Sequence, residues 1–462
     1  MTHWFERLLK ADFTTFTGKT LMTVNPGALF MPNWHIDLIG EYLEAVRRGE
    51  IKRLIINMPP RALKSTCVTV AWPAWLLGHD PKCRIIAASY SSSLAIKHSL
   101  DTRLVMESSW YKTIFPNTRL VRGQNEKRKF VTTGRGYRFA TSVGGSTTGE
   151  GGNILIMDDP MNPLQAMSAA KRERVAEWYS HTFATRLDDK RKGAIVLVMQ
   201  RLHQDDLSGV LLARGGWEHL CLPAIATEDR IYDFGRMQKT MKEGEMMHPL
   251  REDQEIIERA KAELGSSVFA AQYQQQPVPQ EGRMVRPWWF ERYKELPEKI
   301  DRVVQSWDTA IKSGQGNDAS VCITFGESEG KSYVLDVAVM RVEYPELKKA
   351  VINMAELWHP ESILIEDKAS GQQLLQDMRR EFTLPVIGAN PKGDKITRFA
   401  AVSAMCEAGK VMLPKRAPWL AAFEEELFSF PEGKNDDQVD AFSQYLDALR
   451  SLKKYPYIIR KI

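Results

Sequence analysis

The residues best placed to do chemistry are Asp158 and Asp159, which end the apolar run Ile154-Leu155-Ile156-Met157. With Gly151-Gly152-Asn153 before it and Pro160 behind, this run predicts a short strand buried on both faces. Carboxylates at the C-terminal end of such a strand stand where ligands bind in an open α/β sheet. Two solvated aspartates opening a turn would look the same, so the pair alone decides nothing. Upstream, Arg53-Leu54-Ile55-Ile56-Asn57-Met58 predicts a second strand, followed by Pro59-Pro60-Arg61-Ala62-Leu63-Lys64-Ser65-Thr66. Cys67 to Trp72 can continue as a buried helix. Strand, tight loop, Lys-Ser and helix is the layout of a phosphate-binding loop. Backbone N–H groups and the helix N-terminus hold phosphates there, Lys takes the β/γ oxygens, and the hydroxyl holds Mg²⁺. Met58 and Leu63 occupy the two positions where such loops use glycine, so the loop alone is a weak signal. An acidic strand end about ninety residues on, a usual spacing in such ATPases, makes the pair stronger than either half.

A second set of carboxylates lies downstream. Asp308 follows Val303-Val304-Gln305-Ser306-Trp307, Glu366 ends Ser362-Ile363-Leu364-Ile365, and Asp437 and Asp440 fall on one face of a late helix. Converging carboxylates repel unless divalent cations neutralise them, and hard oxygen ligands suit Mg²⁺ or Mn²⁺. Two ions held that way would clamp the attacking and leaving oxygens of a phosphodiester. Each cluster singly reads as surface charge; the order strand, strand end, C-terminal helix points to a ribonuclease H-like metal nuclease. Lys392, Lys395 and Arg398, just before a helix, are candidate phosphate contacts, against the alternative of a solvated basic loop.

The elements that must position these residues follow from the pattern. In the first part, apolar strands alternate with helices, including Cys83–Tyr90 and Ala194–Arg201, which predicts a doubly wound, mainly parallel sheet. The tract Gln272–Gly282, rich in Gln, Pro and Gly, reads as a linker. Beyond it, alternating Val321–Phe325 and Tyr333–Val339 predict an antiparallel meander. The expected organisation is α/β throughout: an ATPase domain over 1–271, a linker over 272–290 and a nuclease domain over 291–462. At 462 residues two domains are the prior. The net charge of +5 permits an anionic partner without demanding one. Five scattered cysteines argue against a disulfide framework or zinc site and fit a reducing cytoplasm. The first residues lack the apolar core of a signal peptide, and the longest apolar run, Val68 to Leu77, contains Pro73 and is too short to span a bilayer. No membrane association is expected.

In this order the motifs resemble one family, the large terminase subunit of tailed bacteriophages, the motor that pumps DNA into capsids and cuts it. The resemblance covers nearly the whole chain: Trp34-His35, Met58–Thr66, Thr148–Pro160, Met199–Gly209, Gln272–Pro277, Ser306–Asp308, Ile365–Gly371, Lys395–Arg398, Glu407–Val411 and Asp436–Ala441. It implies a P-loop ATPase domain, in which ATP hydrolysis drives double-stranded DNA into the procapsid, joined to an endonuclease of ribonuclease H-like fold. The implied nucleotide contacts are Arg61, Lys64, Ser65, Thr66 and Gln200. Ser65 and Asp158 would hold Mg²⁺, Asp159 would activate water, and Gln200-Arg201 would couple hydrolysis to movement. Asp308, Glu366 and Asp437 match the nuclease metal ligands (Mg²⁺, with Mn²⁺ an alternative), with Asp440 and Asp436 beside them. The implied partners are a small terminase subunit, the portal protein of the procapsid and further copies in a ring on the portal. The implied compartment is the cytoplasm of an infected or lysogenic bacterium. Departures from the family pattern are the glycine-less loop, Ile36 after His35 where many relatives have Gln, and Glu150 where relatives often carry Arg. The last leaves an arginine-finger role open, with Arg135 and Arg138 nearest in sequence. A helicase with a degenerate appended domain, or a nuclease with an inactive ATPase remnant, are the competing classes.

Overall fold

A computed structural model describes residues 3–146, 149–277, 284–309, 319–367, 370–381, 385–390, 394–433 and 435–454. Lys392 and residues 278–283 of the expected linker lie outside these. The chain divides into two compact units, one running to Ala260 and including Ser267–Pro279, the other Lys261–Ser266 with Gln280 onward.

In the first unit the strands are β1 (Arg53–Asn57), β2 (Arg84–Ser89), β3 (Leu120–Asn125), β4 (Lys129–Thr132), β5 (Tyr137–Ser142), β6 (Ile154–Asp158), β7 (Ala194–Met199) and β8 (Glu218–Cys221). They form one sheet in the order β3-β4-β5-β2-β6-β7-β1-β8. All neighbours from β5 to β8 are parallel, while β4 and β3 add an antiparallel edge. Side chains alternate between faces, and both faces are covered. Leu54 and Ile56 pack among Trp72, Trp75, Leu43 and Phe16 on one side; Ile55, Leu155 and Leu197 meet Tyr179, Phe183 and Leu207 on the other. This is why the strands read as continuous apolar runs: no face is left for polar residues. The segment after Ser65 is a π-helical turn, Thr66–Ala71, that passes into the α-helix Trp72–His79. Its β-branched residues are poor helix formers, and full burial of Cys67, Val68 and Ala71 holds it instead.

The start of the expected linker is bound into this unit. Gln274 exchanges hydrogen bonds with the backbone of Ile225 (both 3.0 Å), and the Gln275 side chain accepts from Arg201 N at 2.9 Å. Tyr273 stacks on Phe269. A polar tract without apolar periodicity is here a set of amides satisfying buried backbone, which composition does not reveal.

The second unit contains β11 (Glu291–Tyr293), β12 (Arg302–Asp308), β13 (Ser320–Ser328), β14 (Lys331–Met340), β15 (Ser362–Glu366), β16 (Val386–Ala389) and β17 (Val411–Pro414); the numbers β9 (Arg230–Phe234) and β10 (Met237–Met241) belong to a separate hairpin of the first unit. The sheet order is β11-β17-β14-β13-β12-β15-β16. The run β12-β13-β14 is the expected antiparallel meander, and β15 lies parallel to β12. Helices Lys395–Glu407, Leu420–Ser429 and Asp437–Lys454 bury Phe399, Phe423 and Phe442 against one face. Helices Tyr344–Trp358 and Ser370–Glu381 cover Trp307 and Ile365 on the other. A mixed sheet with helices on both faces, opening on a three-stranded meander, is the ribonuclease H-like arrangement.

Candidate functional site

Two groups of charged residues stand at strand ends, one in each unit. In the first, β7 lies between β1 and β6, so the loop after β1 and the carboxylates after β6 open on the same edge of the sheet. Arg61 and Leu63 take left-handed backbone, with φ of 62° and 65°. The loop therefore uses the conformation glycine would give, but with side chains that oppose it, a local strain of about 1–2 kcal/mol for each residue that burial of Met58, Ala62 and Lys64 must outweigh. Pro59-Pro60 do not remove the need for positive φ. Asp159 is a third such residue, with φ 42°; its N–H donates to Val198 O and its carbonyl accepts from Tyr90 N.

Lys64 Nζ is 3.2 Å from Asp159 Oδ2, and Gln200 N donates to Asp159 Oδ1 at 3.3 Å. Ser65 Oγ donates to Asp158 Oδ1 at 3.0 Å. Asp158 is fully buried, and its Oδ2 has no hydrogen-bond donor. Burial pushes both carboxyls above the ordinary range, and Lys64 opposes it. Lys64, Ser65, Asp159 and Gln200 open on a cleft of about 510 Å³ lined also by Arg61, Thr66, Lys97 and Arg251, with Asp158 enclosed behind Ser65. A hydroxyl, a buried carboxylate with an unpartnered oxygen and a lysine in a basic cleft fit a phosphate chain with a hard cation.

Two buried residues lie behind this group: Arg138, singled out from the sequence only as an arginine-finger candidate, and His98, which the sequence reading passed over. Arg138 is 0% exposed, donates to Thr69 O at 3.2 Å and is pushed down to about 9 by burial, with Asp158 and Asp101 opposing. His98 Nδ1 is 3.4 Å from Asp158 Oδ2 and is pushed down to about 4 by burial, so it is neutral at pH 7. Only a fold brings β5 and the helix Ser92–Glu107 behind Asp158, so no local signal marks them. Arg138, enclosed in this core, cannot reach another subunit. Arg135 sits in the turn before β5, at the opposite edge of the sheet from the cleft. Glu150 pairs with Lys129 at 2.6 Å. His35 is 1% exposed, pushed down to about 3 by burial and His248, and does not line the cleft. Arg201 is fixed by Asp206, with Nε 3.0 Å from each carboxylate oxygen.

In the second unit Asp308 ends β12 and Glu366 ends β15, one step past the paired Trp307 and Ile365. Asp437 opens the helix Asp437–Lys454, and Asp440 lies one turn on. Gln444 of that helix donates to Ser306 Oγ at 3.0 Å and to Trp307 O at 3.2 Å, which docks it beside Asp308. Glu426, buried, accepts from Gln438 N (2.6 Å), the Gln438 side chain (2.6 Å) and Val439 N (3.3 Å), holding the helix N-terminus in place. The sequence reading passed over Glu426. Asp308 is pushed up to about 8, first by burial and then by Asp440, Glu366 and Asp437. A carboxyl raised by burial and by neighbouring carboxylates fits a divalent cation by donor chemistry. Among the described residues, however, no three acidic, imidazole or thiol groups close into a metal cage. Lys395 and Arg398 are drawn into this acidic group: Lys395 Nζ lies 2.6 Å from Asp436 and 2.7 Å from Asp440, and Arg398 Nη2 lies 2.5 Å from Asp440.

These two sites, one built on a phosphate loop in a parallel sheet and one on acidic strand ends in a ribonuclease H-like sheet, define the class to which the comparisons point. Residues 305–449 match the family described as the terminase RNaseH-like domain. The fold of the large terminase from the thermophilic bacteriophage D6E aligns over 94% of this chain and 98% of that one, with 11% identity and a TM-score of 0.54. Its structure in complex with ATP-gamma-S aligns over 93% and 98%, at 12% identity and a TM-score of 0.51. No curated protein matches the sequence. The chain thus has the fold of a phage large terminase, and the resemblance drawn from the motifs is borne out at that level. No helix among the described residues is long and apolar enough to cross a membrane.

Proposed function

We propose that this chain is the large subunit of a phage DNA-packaging terminase, with the first unit an ATPase and the second a metal-dependent endonuclease. The observation that carries the ATPase reading is the meeting of Lys64, Ser65 and Asp159 at one cleft from two non-adjacent strands, with Asp158 bonded to Ser65 behind it. Lys64 would hold the terminal phosphates, and its present partner Asp159 would turn to orient the attacking water. Asp159 is ready for that task because Gln200 N fixes one oxygen while the other faces the cleft. Ser65 and Asp158 would hold Mg²⁺, which supplies charge neutralisation on the phosphates when bound. His98 approaches Asp158 Oδ2 at 3.4 Å, and the enclosed Arg138 supplies positive charge behind it. Arg201, clamped by Asp206 and by Gln275, carries the cleft edge to the helix Leu207–Arg214.

Asp308, Glu366 and Asp437 are the proposed ligands of the nuclease ion. A divalent cation there would lower the pKa of a bound water and neutralise charge on the scissile phosphate. The D6E large terminase was solved with ADP and with ATP-gamma-S, which supports the nucleotide assignment proposed here. Double-stranded DNA, a portal, a small terminase subunit and sister copies in a ring are the proposed partners. The test is DNA-stimulated phosphate release and plasmid nicking by the purified chain. Cutting without ATP turnover would favour the reading of a nuclease with an ATPase remnant.

A further inference from the structure

Asn57 is the last residue of β1, fully buried at the point where the chain enters the phosphate loop. A polar side chain in a strand buried on both faces must find its hydrogen bonds inside the protein. The Asn57 amide does so on both sides. Its Nδ2 donates to Met199 O at 3.1 Å and to Ser208 Oγ at 2.9 Å, and its Oδ1 accepts from His219 Nε2 at 2.9 Å. Met199 is its register partner at the end of β7, and the Met199 carbonyl also accepts from Met58 N at 3.3 Å. At the other end of the same peptide group, Gln200 N donates to Asp159 Oδ1 at 3.3 Å. Asp159 Oδ2 in turn lies 3.2 Å from Lys64 Nζ. The contacts close a circuit: from the residue that enters the loop, across the end of β7 to the carboxylate, and back to the loop at its lysine.

From this circuit we infer that Asn57 is a positioning residue for ATP hydrolysis, setting the orientation of the Asp159 carboxylate through the Met199–Gln200 peptide. The inference rests on the ATPase reading above and deepens it. A trans peptide group is planar, with its carbonyl and N–H directed to opposite sides, so a donor that fixes one end also aims the other. Asp159 needs such a hold. Its backbone lies in the left-handed region at φ 42°, and on the proposed reading Lys64 leaves it when phosphates bind. Gln200 N is then the contact that keeps one carboxylate oxygen in place beside the cleft. Because Met58 N stays on the same carbonyl, loss of the Asn57 amide weakens this hold without abolishing it.

The test separates orientation from stability, using DNA-stimulated ATP hydrolysis by the full chain. In Asn57→Leu, of similar size but without a donor, kcat should fall on the order of tenfold with KM for ATP within about twofold, since the phosphates keep Lys64 and the loop. Ser208→Ala removes the other acceptor of the same amide and should leave kcat within about twofold of the parent. Added to Asp159→Asn, the Asn57→Leu change should cost no more than about a further twofold in single turnovers, because the carboxylate it orients is already gone. Asn57→Ser, with a shorter side chain and no amide, replaces the Leu variant should that one fail to fold. Parental kcat in the folded variant, a loss confined to KM, an equal loss in Ser208→Ala, or full multiplication of the two losses overturns the inference and leaves the ATPase reading standing. A parent chain that releases no phosphate sinks the ATPase reading itself.

Discussion

The two sites solve the same electrostatic problem in different ways. At the first, two carboxylates sit at one strand end inside a sheet buried on both faces; a single lysine 3.2 Å away and an enclosed arginine offset their charge. At the second, four carboxylates from two strands and one helix, with Asp436 just before that helix, gather at a strand edge, and two cations from a neighbouring helix pair with Asp436 and Asp440. The difference lies in where the positive charge comes from. In the first unit it belongs to the loop that, on the proposed reading, grips the nucleotide, and binding would draw Lys64 off Asp159 and leave that carboxylate to act on water. In the second it comes from Lys395 and Arg398 on a neighbouring helix, paired with Asp436 and Asp440. A site whose counter-charge is mobile suits a cycle of binding and hydrolysis; one whose counter-charge is fixed suits a standing metal centre.

The sharpest way to break this comparison is to remove the mobile charge. Lys64→Ala and Asp159→Asn should each lower ATP turnover by on the order of 10²–10³-fold in steady-state phosphate release, with circular dichroism unchanged. Near-parental turnover in folded Lys64→Ala would end the phosphate-loop assignment. The scaffold of the second unit gives the next largest effect. Glu426→Ala leaves Gln438 N and Val439 N without their acceptor, and should destabilise that unit by roughly 1–3 kcal/mol. Urea unfolding followed by nuclease-unit fluorescence is the readout, and an unchanged midpoint would mean that the helix N-terminus finds water instead.

A smaller effect concerns acid stability of the first unit. His219, whose Nε2 lies 2.9 Å from Asn57 Oδ1, is pushed down to about 4 by burial, with Arg201 and Arg230 adding. Its folded pKa is below the unfolded value near 6.5, so the unfolded chain binds the extra proton between those values. Stability from this group is therefore complete above about pH 6.5 and falls as pH drops towards 4, by about 1.4 kcal/mol per unit. His219→Gln keeps a donor toward Asn57 and should flatten that acid slope; an identical slope would contradict the assignment. The smallest expected change is Leu63→Gly. Relief of positive-φ strain and loss of a partly buried side chain should nearly cancel, leaving the unfolding midpoint within about 1 kcal/mol of the parent.

How much of this was legible in the sequence follows the same division. Strands buried on both faces print themselves as apolar runs, so β1, β2, β6 and β7 and their acidic or loop termini could be read directly. The β12–β14 meander showed through its alternation and its turns. The backbone of the phosphate loop could not be read: Leu63 and Arg61 lack the glycine signature, and their φ values come from packing around the loop. His98 and Glu426 were equally silent, and Arg138 was noticed only as an arginine-finger candidate, because each is set by burial against residues far away in sequence. Lys395 and Arg398 were noticed, but their pairing with Asp436 and Asp440 was not. A basic helix start next to a distant acidic helix start looks the same in sequence as one facing a phosphate. The bound state of Gln274 and Gln275 was hidden for a related reason, since amides that pair with backbone leave no periodicity.

The most direct test of the central claim, that two separate chemistries reside in two separately built sites, is one preparation of Asp308→Asn measured in two assays. Plasmid nicking in Mn²⁺ or Mg²⁺ should disappear, because a proposed metal ligand at the end of β12 is lost. DNA-stimulated ATP hydrolysis should remain within about twofold of the parent, because Lys64, Ser65, Asp158 and Asp159 belong to the other sheet. Undiminished nicking would contradict the nuclease assignment, and joint loss of both activities in a folded protein would contradict the separation of the two sites.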